Sequence, residues 1–448
     1  MAVWSEVLLS RLYGARRLDA ECYRPTVLRD EKAILAFKTV KLGDIATVTD
    51  GQHGYHEVDP DSPVRHITAQ CVRHGMVDGE GADHLALSTH NANRRSQLAL
   101  DDILVSTAGT IGEAGLVREN VLPANIDQDV ARITLKSPSP IAPAFLVAFL
   151  NSELGRFQSE RATTGQIQCH ISLAAMRDFD IPVVGWQRKP AEALRESVKC
   201  RLQASEFIRE AEALLVSALR LDKLDLTPRL SYERRYKDTT DAGRLDAEYF
   251  NPRAQNLISA LSRDGLTISD VAKLTTRRFH PARGVEFQYI EIGDVGGTGT
   301  AESAPVMGEE APSRATWVVK PGDVITTTVR PIRRLSAIIA DDQAGYVCSS
   351  GFAVLKPTTV EPELLLAYLR LPLVCELLNL NTTASMYPAI STADLLRIPI
   401  SLPDTATRQK IVAKVKESFT ARREARRLLD EAKALVEKAI LSANGAKA

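Results

Sequence analysis

The chain carries the same text twice. Arg17-Leu18-Asp19-Ala20-Glu21-Cys22-Tyr23-Arg24-Pro25 stands near its start, and Arg244-Leu245-Asp246-Ala247-Glu248-Tyr249-Phe250-Asn251-Pro252 stands 227 residues later. Five consecutive identities are followed by a shared aromatic and a shared proline. The correspondence then continues in order. Leu42-Gly43-Asp44-Ile45-Ala46 answers Ile268-Ser269-Asp270-Val271-Ala272, and Asp102-Ile103-Leu104 answers Asp323-Val324-Ile325. Thr163-Thr164 with Ile171-Ser172 answers Thr382-Thr383 with Ile390-Ser391, and Ile181-Pro182 answers Ile398-Pro399. A repeat of this length is a duplicated domain, not a solenoid unit.

Each half has one plan. Short β-branched runs such as Ile103-Leu104-Val105 and Val324-Ile325-Thr326 are punctuated by Gly, Pro and Asp, the pattern of strands joined by turns. A helix beginning at a proline follows, over 143–158 in the first half and 362–378 in the second. Each half closes with a long helix, over 190–221 and 405–443. Its apolar stripe includes Leu202, Phe207, Leu214 and Leu215 in the first copy, and Val415, Phe419, Leu428 and Leu429 in the second. At about 1.5 Å per residue these helices reach about 45 to 60 Å. Their near-heptad stripes predict an antiparallel pair, the alternative being that each packs on its own domain.

The 448 residues are 44% hydrophobic and 25% charged, ordinary values for a soluble globular protein. No apolar run approaches the roughly 18 to 20 residues that span a bilayer, and the first residues do not read as a secretory signal. A cytoplasmic protein is expected. The six cysteines are far apart, without a CxxC pair, which argues against a zinc knuckle or a disulfide framework. A net charge of +0 neither supports nor excludes nucleic acid, because a DNA reader needs local positive surface.

The order of these motifs resembles the specificity subunit of Type I restriction-modification systems. The residues that carry the resemblance are the Arg-Leu-Asp-Ala-Glu openings at 17 and 244, Gly43-Asp44-Ile45, Asp102-Ile103-Leu104 with Gly109-Thr110-Ile111-Gly112, the Ile-Ser and Ile-Pro pairs, and the two long helices. The resemblance implies an α+β fold: two mixed α/β target-recognition domains joined by a pair of long antiparallel coiled-coil helices in a pseudo-twofold repeat. The domains are placed at 1–188 and 224–404, and the spacer helices at 189–223 and 405–443. It further implies a non-catalytic subunit that reads a bipartite, asymmetric duplex DNA target. Methyltransferase subunits, which bring S-adenosylmethionine, and a restriction translocase would dock on it. No cofactor is expected on this chain. Gly109-Thr110-Ile111-Gly112 has no copy in the second half, which reads Val329-Arg330-Pro331-Ile332.

Two heads on a stiff spacer can each place a loop in a major groove, half-sites one helical turn apart lying about 34 to 36 Å from each other. Base edges need hydrogen-bonding side chains on loops, and phosphates need Arg, Lys, hydroxyls or backbone amides. In the first half the candidates are Gln52, His53, Tyr55, His56, Gln70, Thr164, Gln166, Gln168 and His170. In the second they are Arg277, Arg278, His280, Arg330, Arg333, Arg334, Ser385 and Tyr387. For any single loop, a solvated turn is an equally good reading. The helix pair is expected to supply the docking surface, so polar substitution of Leu214 and Leu215 should abolish methyltransferase assembly.

Enzyme readings find no purchase. Six of the eight histidines fall between His53 and His90, with Glu57, Glu80 and Asp83 nearby, but the spacing matches neither HExxH nor a Cys/His finger. Gly109-Thr110-Ile111-Gly112 lacks the Lys-Ser/Thr of a phosphate loop. Neither an amino-methyltransferase tetrad nor a GxSxG elbow is present. Two other functions stay open: a DNA-recognition component of another phage-defence system on the same scaffold, or a coiled-coil assembly scaffold that binds no DNA.

Overall fold

The structure, a computed structural model, describes residues 4–12, 17–54, 56–165, 169–383 and 386–445. The chain divides into two compact units, residues 1–201 with 422–448, and residues 202–421. Both boundaries fall inside the long helices, so each unit takes a part of both.

The units repeat one topology. In the first, Ala46–Asp50, Val130–Leu135, Ile103–Ser106 and Ala114–Leu116 lie side by side as an antiparallel sheet, extended by Gly75–Val77 and Val72–Arg73. In the second, Ala272–Leu274, Phe352–Pro357, Val324–Thr327 and Ser336–Ile338 lie in the same order. Beside this sheet each unit holds a second one with the same mixed pairing. Val64–Ile67 runs parallel to Ala124–Ile126 and antiparallel to His84–Leu85. Glu286–Ile290 runs parallel to Val347–Ser349 and antiparallel to Ala304–Met307. The second unit adds Ala315–Val318 at one edge.

The middle strands Ile103–Ser106 and Val324–Thr327 are buried at every residue, which is why they read as continuous apolar or β-branched runs without alternation. Against the sheet of each unit lies a helix buried along almost its whole length, the mark of an enclosed element. It is Pro143–Asn151 in the first unit, with Ala144 to Leu150 buried, and Pro362–Arg370 in the second, with Leu364 to Leu369 buried.

The single helices expected over 143–158 and 362–378 are each two. Pro143–Asn151 breaks at Ser152, whose hydroxyl caps Glu153–Ala162 by accepting from the Gly155 amide at 3.3 Å. The crossing is so close that a Cβ on Gly155 would lie 2.1 Å from the Phe149 carbonyl oxygen. Pro362–Arg370 breaks at Leu371, because the residue before Pro372 is driven out of the helical region; its ψ is 130°. The long helices span Arg188–Ala218 and Thr405–Gly445. The first stops short of the expected Leu221, with Arg220 left-handed (φ 56°) before the short 3-10 turn Leu221–Lys223.

Within each unit the long-helix segments pair antiparallel. In the first, the Ser197 hydroxyl donates to the Ala425 carbonyl at 2.6 Å. In the second, Ser418 donates to the Ala204 carbonyl at 2.8 Å, and Lys414 meets Glu210 at 2.8 Å. A side chain that bonds the main chain of the opposite helix requires close approach, and small residues provide it. Ser197, Ala204 and Ala211 recur every seven residues, as do Ser418, Ala425 and Ala432, and all six are buried.

Candidate nucleic-acid interface

In the first unit several distant loops meet where the strands end. The amide of Gly51 donates to the Asp127 carbonyl at 3.1 Å, and the amide of Asp127 donates to Ile67 at 3.1 Å. Gly51 is obligatory: a Cβ there would lie 1.9 Å from the Ile126 carbonyl oxygen. Thr107 donates its amide to Asp129 at 2.9 Å and accepts from Ile171 at 3.1 Å. The segment before Ile171 closes as a small hairpin by a bridge between Thr164 and His170.

The second unit repeats the last arrangement bond for bond. Thr328 donates to Gly351 at 2.8 Å and accepts from Ile390 at 2.9 Å. The hairpin before it pairs Thr382–Thr383 with Ala389–Ile390. The loop beside it differs, as its sequence does. Arg330, left-handed with φ 50°, donates its amide to Pro388 at 2.8 Å and lays its guanidinium over the Tyr387 ring, 5.2 Å from the centroid.

The repeated Arg-Leu-Asp-Ala-Glu opening braces these hairpins. Arg17 pairs with Asp19 at 2.6 Å and donates to the carbonyls of Arg161 (2.7 Å) and Thr163 (3.2 Å), directly before Thr164. Arg244 is gripped by both oxygens of Asp246 at 2.8 and 2.7 Å. It donates to the Leu380 carbonyl at 2.9 Å and to Asn381 Oδ1 at 2.7 Å, directly before Thr382. Charge-assisted bonds from one planar fork to fixed carbonyls hold a loop base in place.

The expected reading residues are distributed as follows. Gln52 is half-buried and bridges Asp127, and Gln70 is exposed in the turn after Ile67. His53 is exposed, its Nε2 lying 3.3 Å from Asp50. His56 packs against His66 with ring centroids 4.4 Å apart and planes tilted by 59°, and burial, then the neighbouring His56, holds the His66 imidazole below its ordinary pKa. Thr164 and His170 are exposed on the hairpin. Tyr55, Gln166, Gln168 and Ser385 lie outside the described residues. No group of three or more His, Cys, Asp or Glu in metal-holding range occurs among the described residues.

In the second unit Arg278 and His280 are exposed, with Arg278 5.3 Å above the Trp317 ring. Arg333 and Tyr387 are exposed beside Arg330. Two arginines are turned inward. Arg277 pairs with the buried Asp323 and donates to the Val318 carbonyl at 3.1 Å. Arg334, φ 62°, donates to both oxygens of Glu212 at 2.8 and 2.7 Å and to the Arg370 carbonyl at 2.8 Å. Arg334 thus ties its own unit's sheet region to the first long helix.

The helix-stripe residues are also turned inward. Leu215, Val415 and Leu429 are buried in their units, while Leu202, Phe207, Leu214, Phe419 and Leu428 are half-buried. The Phe207 ring carries the Lys414 ammonium 4.8 Å from its centroid.

Sequence reasoning missed Asp127. Burial pushes its carboxyl up to about 6, while it accepts from the Asp129 amide at 3.0 Å. Nothing in the local sequence marks it; the packing of Gly51 and Ile67 against it does.

The fold and the duplicated tips define a two-unit α+β protein with paired long helices and one hairpin tip per unit. The chain matches no protein-family model. It is 24% identical over 150 residues to the Type I restriction enzyme HindI specificity subunit of Haemophilus influenzae. That match spans about a third of each chain. Among solved structures it is similar to the S subunit of a Type-I restriction-modification system from M. genitalium (11% identity, 90% of this chain and 95% of that one, TM-score 0.38). It is also similar to the HsdS subunit from Thermoanaerobacter tengcongensis (17%, 90% and 96%, TM-score 0.29). A third is a structure described as the basis of complex assembly and conformational transition of the type I R-M system (16%, 91% and 96%, TM-score 0.28). The chain resembles Type I restriction-modification specificity subunits. No helix among the described residues is long and apolar enough to cross a membrane.

Proposed function

We propose that this chain is a sequence-specific DNA-binding specificity subunit of a Type I restriction-modification complex, non-catalytic itself, reading two different half-sites. The observation that carries the reading is the repeated tip. Thr107 and Thr328 hold corresponding hairpins by corresponding main-chain bonds, and the side chains beside them diverge. A constant frame with variable, polar and basic loops is what a reader of two unlike words requires. The neutral net charge accords with a subunit that shares phosphate contacts with its partners. Those partners are methyltransferase subunits, which bring S-adenosylmethionine and methylate adenine, and a restriction translocase.

The test is to express the chain with an adenine methyltransferase subunit encoded beside it and to map methylated bases in the host genome. A split adenine motif with an unread spacer is the expected result. Unmethylated DNA together with salt-independent behaviour on random duplex rejects the reading, because DNA binding falls steeply with salt. Salt-dependent binding to duplex DNA by a chain whose genome neighbourhood lacks an adenine methyltransferase would indicate another defence system on the same scaffold.

A further inference from the structure

The two tips solve one turn with different residues. Two positions after Thr107 the first unit holds Gly109 in the left-handed region (φ 70°), and two positions after Thr328 the second holds Arg330 there (φ 50°). Glycine adopts that conformation freely, whereas a residue with a Cβ is strained in it. Arg334 is left-handed too, so the short turn Pro331–Arg333 is strained at both ends. Such strain persists only where the surroundings over-determine it, and it gathers at functional sites.

What the strained turn presents is apolar. Pro331 is buried, while Ile332 is 51% exposed. The Arg330 amide bond to Pro388 and the Arg334 grip on Glu212 brace the turn from either side. The hairpin joined to it exposes Met386 (76%) and Tyr387 (65%). The Arg330 guanidinium lies over that tyrosine ring and 3.4 Å from the Met386 carbonyl oxygen. Neither 329–334 nor 382–391 contains an Asp or Glu. Exposed apolar side chains set among arginines, with no carboxylate in either segment, complement a polyanion whose interior is apolar, which describes a stacked duplex.

We propose that Ile332 and Met386 form a wedge that enters the base stack of the second unit's half-site and parts one base step, with the Arg330–Tyr387 pair lying against the base so exposed. Apolar wedges accompanied by arginine act on duplexes in this way. The proposal rests on the reading above and deepens it. Contacts to base edges leave the stack intact, whereas here part of the second word is selected by how readily one of its steps opens. Pyrimidine–purine steps open most readily, so one is expected at the wedge. Gly109 supplies no arginine at the corresponding place, so the distortion belongs to one half-site.

The experiment uses the full chain with its neighbouring methyltransferase subunit and a duplex carrying the split motif mapped as above. 2-Aminopurine, which brightens when unstacked, is placed singly through both half-sites and their borders, the methylated adenines excepted. Fluorescence should rise severalfold at one step of one half-site. Ile332→Ala with Met386→Ala should return that step to the brightness of free duplex and lower affinity for the motif about tenfold. The melting temperature of that variant should be unchanged, because both side chains are exposed. Arg330→Gly should also abolish the rise, with a melting temperature no lower than wild type because the strain is relieved. A motif bound without brightening, or brightening that survives the double alanine variant, overturns the proposal. So does loss of methyltransferase binding in either variant with the brightening intact, which would make this rim a protein contact. A wild-type complex that yields no split motif rejects the functional reading and this proposal with it, and is distinguishable from each of these.

Discussion

The hydroxyl of Ser197 lies 2.6 Å from the carbonyl oxygen of Ala425, fully buried in the seam of the two long helices. Its counterpart in the other unit, Ser418 on the Ala204 carbonyl, has the same chemistry with the helices exchanged. Because the acceptor is main chain, the bond fixes how close the backbones come. Ser197→Ala should cost about 1 kcal/mol, one ordinary hydrogen bond. Ser197→Leu should cost about 1 to 3 kcal/mol by overfilling the seam. Urea unfolding curves measure both, and a leucine variant as stable as wild type would mean that the helices are not held at contact there.

Arg334 reads in sequence as a DNA-contacting arginine, yet its guanidinium faces Glu212 with two bonds. Glu212 is only 15% exposed, so removing either partner strands a largely desolvated charge. Arg334→Ala and Glu212→Ala should each destabilise the second unit by about 2 kcal/mol. The double variant should cost less than the sum of the two single ones, because both residues belong to one network, in which the buried Arg370 also lies 3.8 Å from the Glu212 carboxylate. The salt dependence of DNA binding should be the same in all three, whereas a phosphate-contacting arginine would alter it.

Arg333 and Arg278 are the contrasting case, exposed on loops near the tip strands of the same unit. Each substitution to alanine should leave unfolding unchanged and lower the slope of log affinity against log salt by about 1, the signature of one lost phosphate contact. A titration of random and specific duplexes between low and moderate salt reads this directly. An unchanged slope in both variants would remove these loops from the interface.

The duplication, the short strands and the long helices were legible because each leaves a pattern along the chain: repeated words, short β-branched runs, apolar residues three and four apart. The broken helices at Ser152 and Leu371 were not, since a serine cap inside an apolar run and a proline after leucine are weak signals beside continuous hydrophobicity. The small residues at 197, 204 and 211 and at 418, 425 and 432 do recur every seventh position, but attention to large apolar side chains hides them. The inward turn of Arg277 and Arg334 could not be read at all. Both ion-pair partners, Asp323 and Glu212, are distant in sequence, and an arginine on a loop looks the same whether it faces phosphate or carboxylate.

Asp127 sits at the convergence of the first unit's loops with its carboxyl raised from 3.8 to about 6 by burial. The sign follows from which state prefers the proton. Below about pH 4 the carboxyl is protonated in both folded and unfolded chains, and it carries no penalty. As pH rises from about 4 to 6 the unfolded chain ionises this group freely while the half-buried site of the folded unit disfavours the charge, so stability is lost over that window and the loss is complete above it. Asp127→Asn keeps an acceptor for the Asp129 amide and removes the charge. Its melting temperature should exceed that of wild type at pH 7.5, and the gap should have nearly closed at pH 3.5. A gap equal at both values, or one of opposite sign, would show that Asp127 is stabilised as an anion in the folded unit.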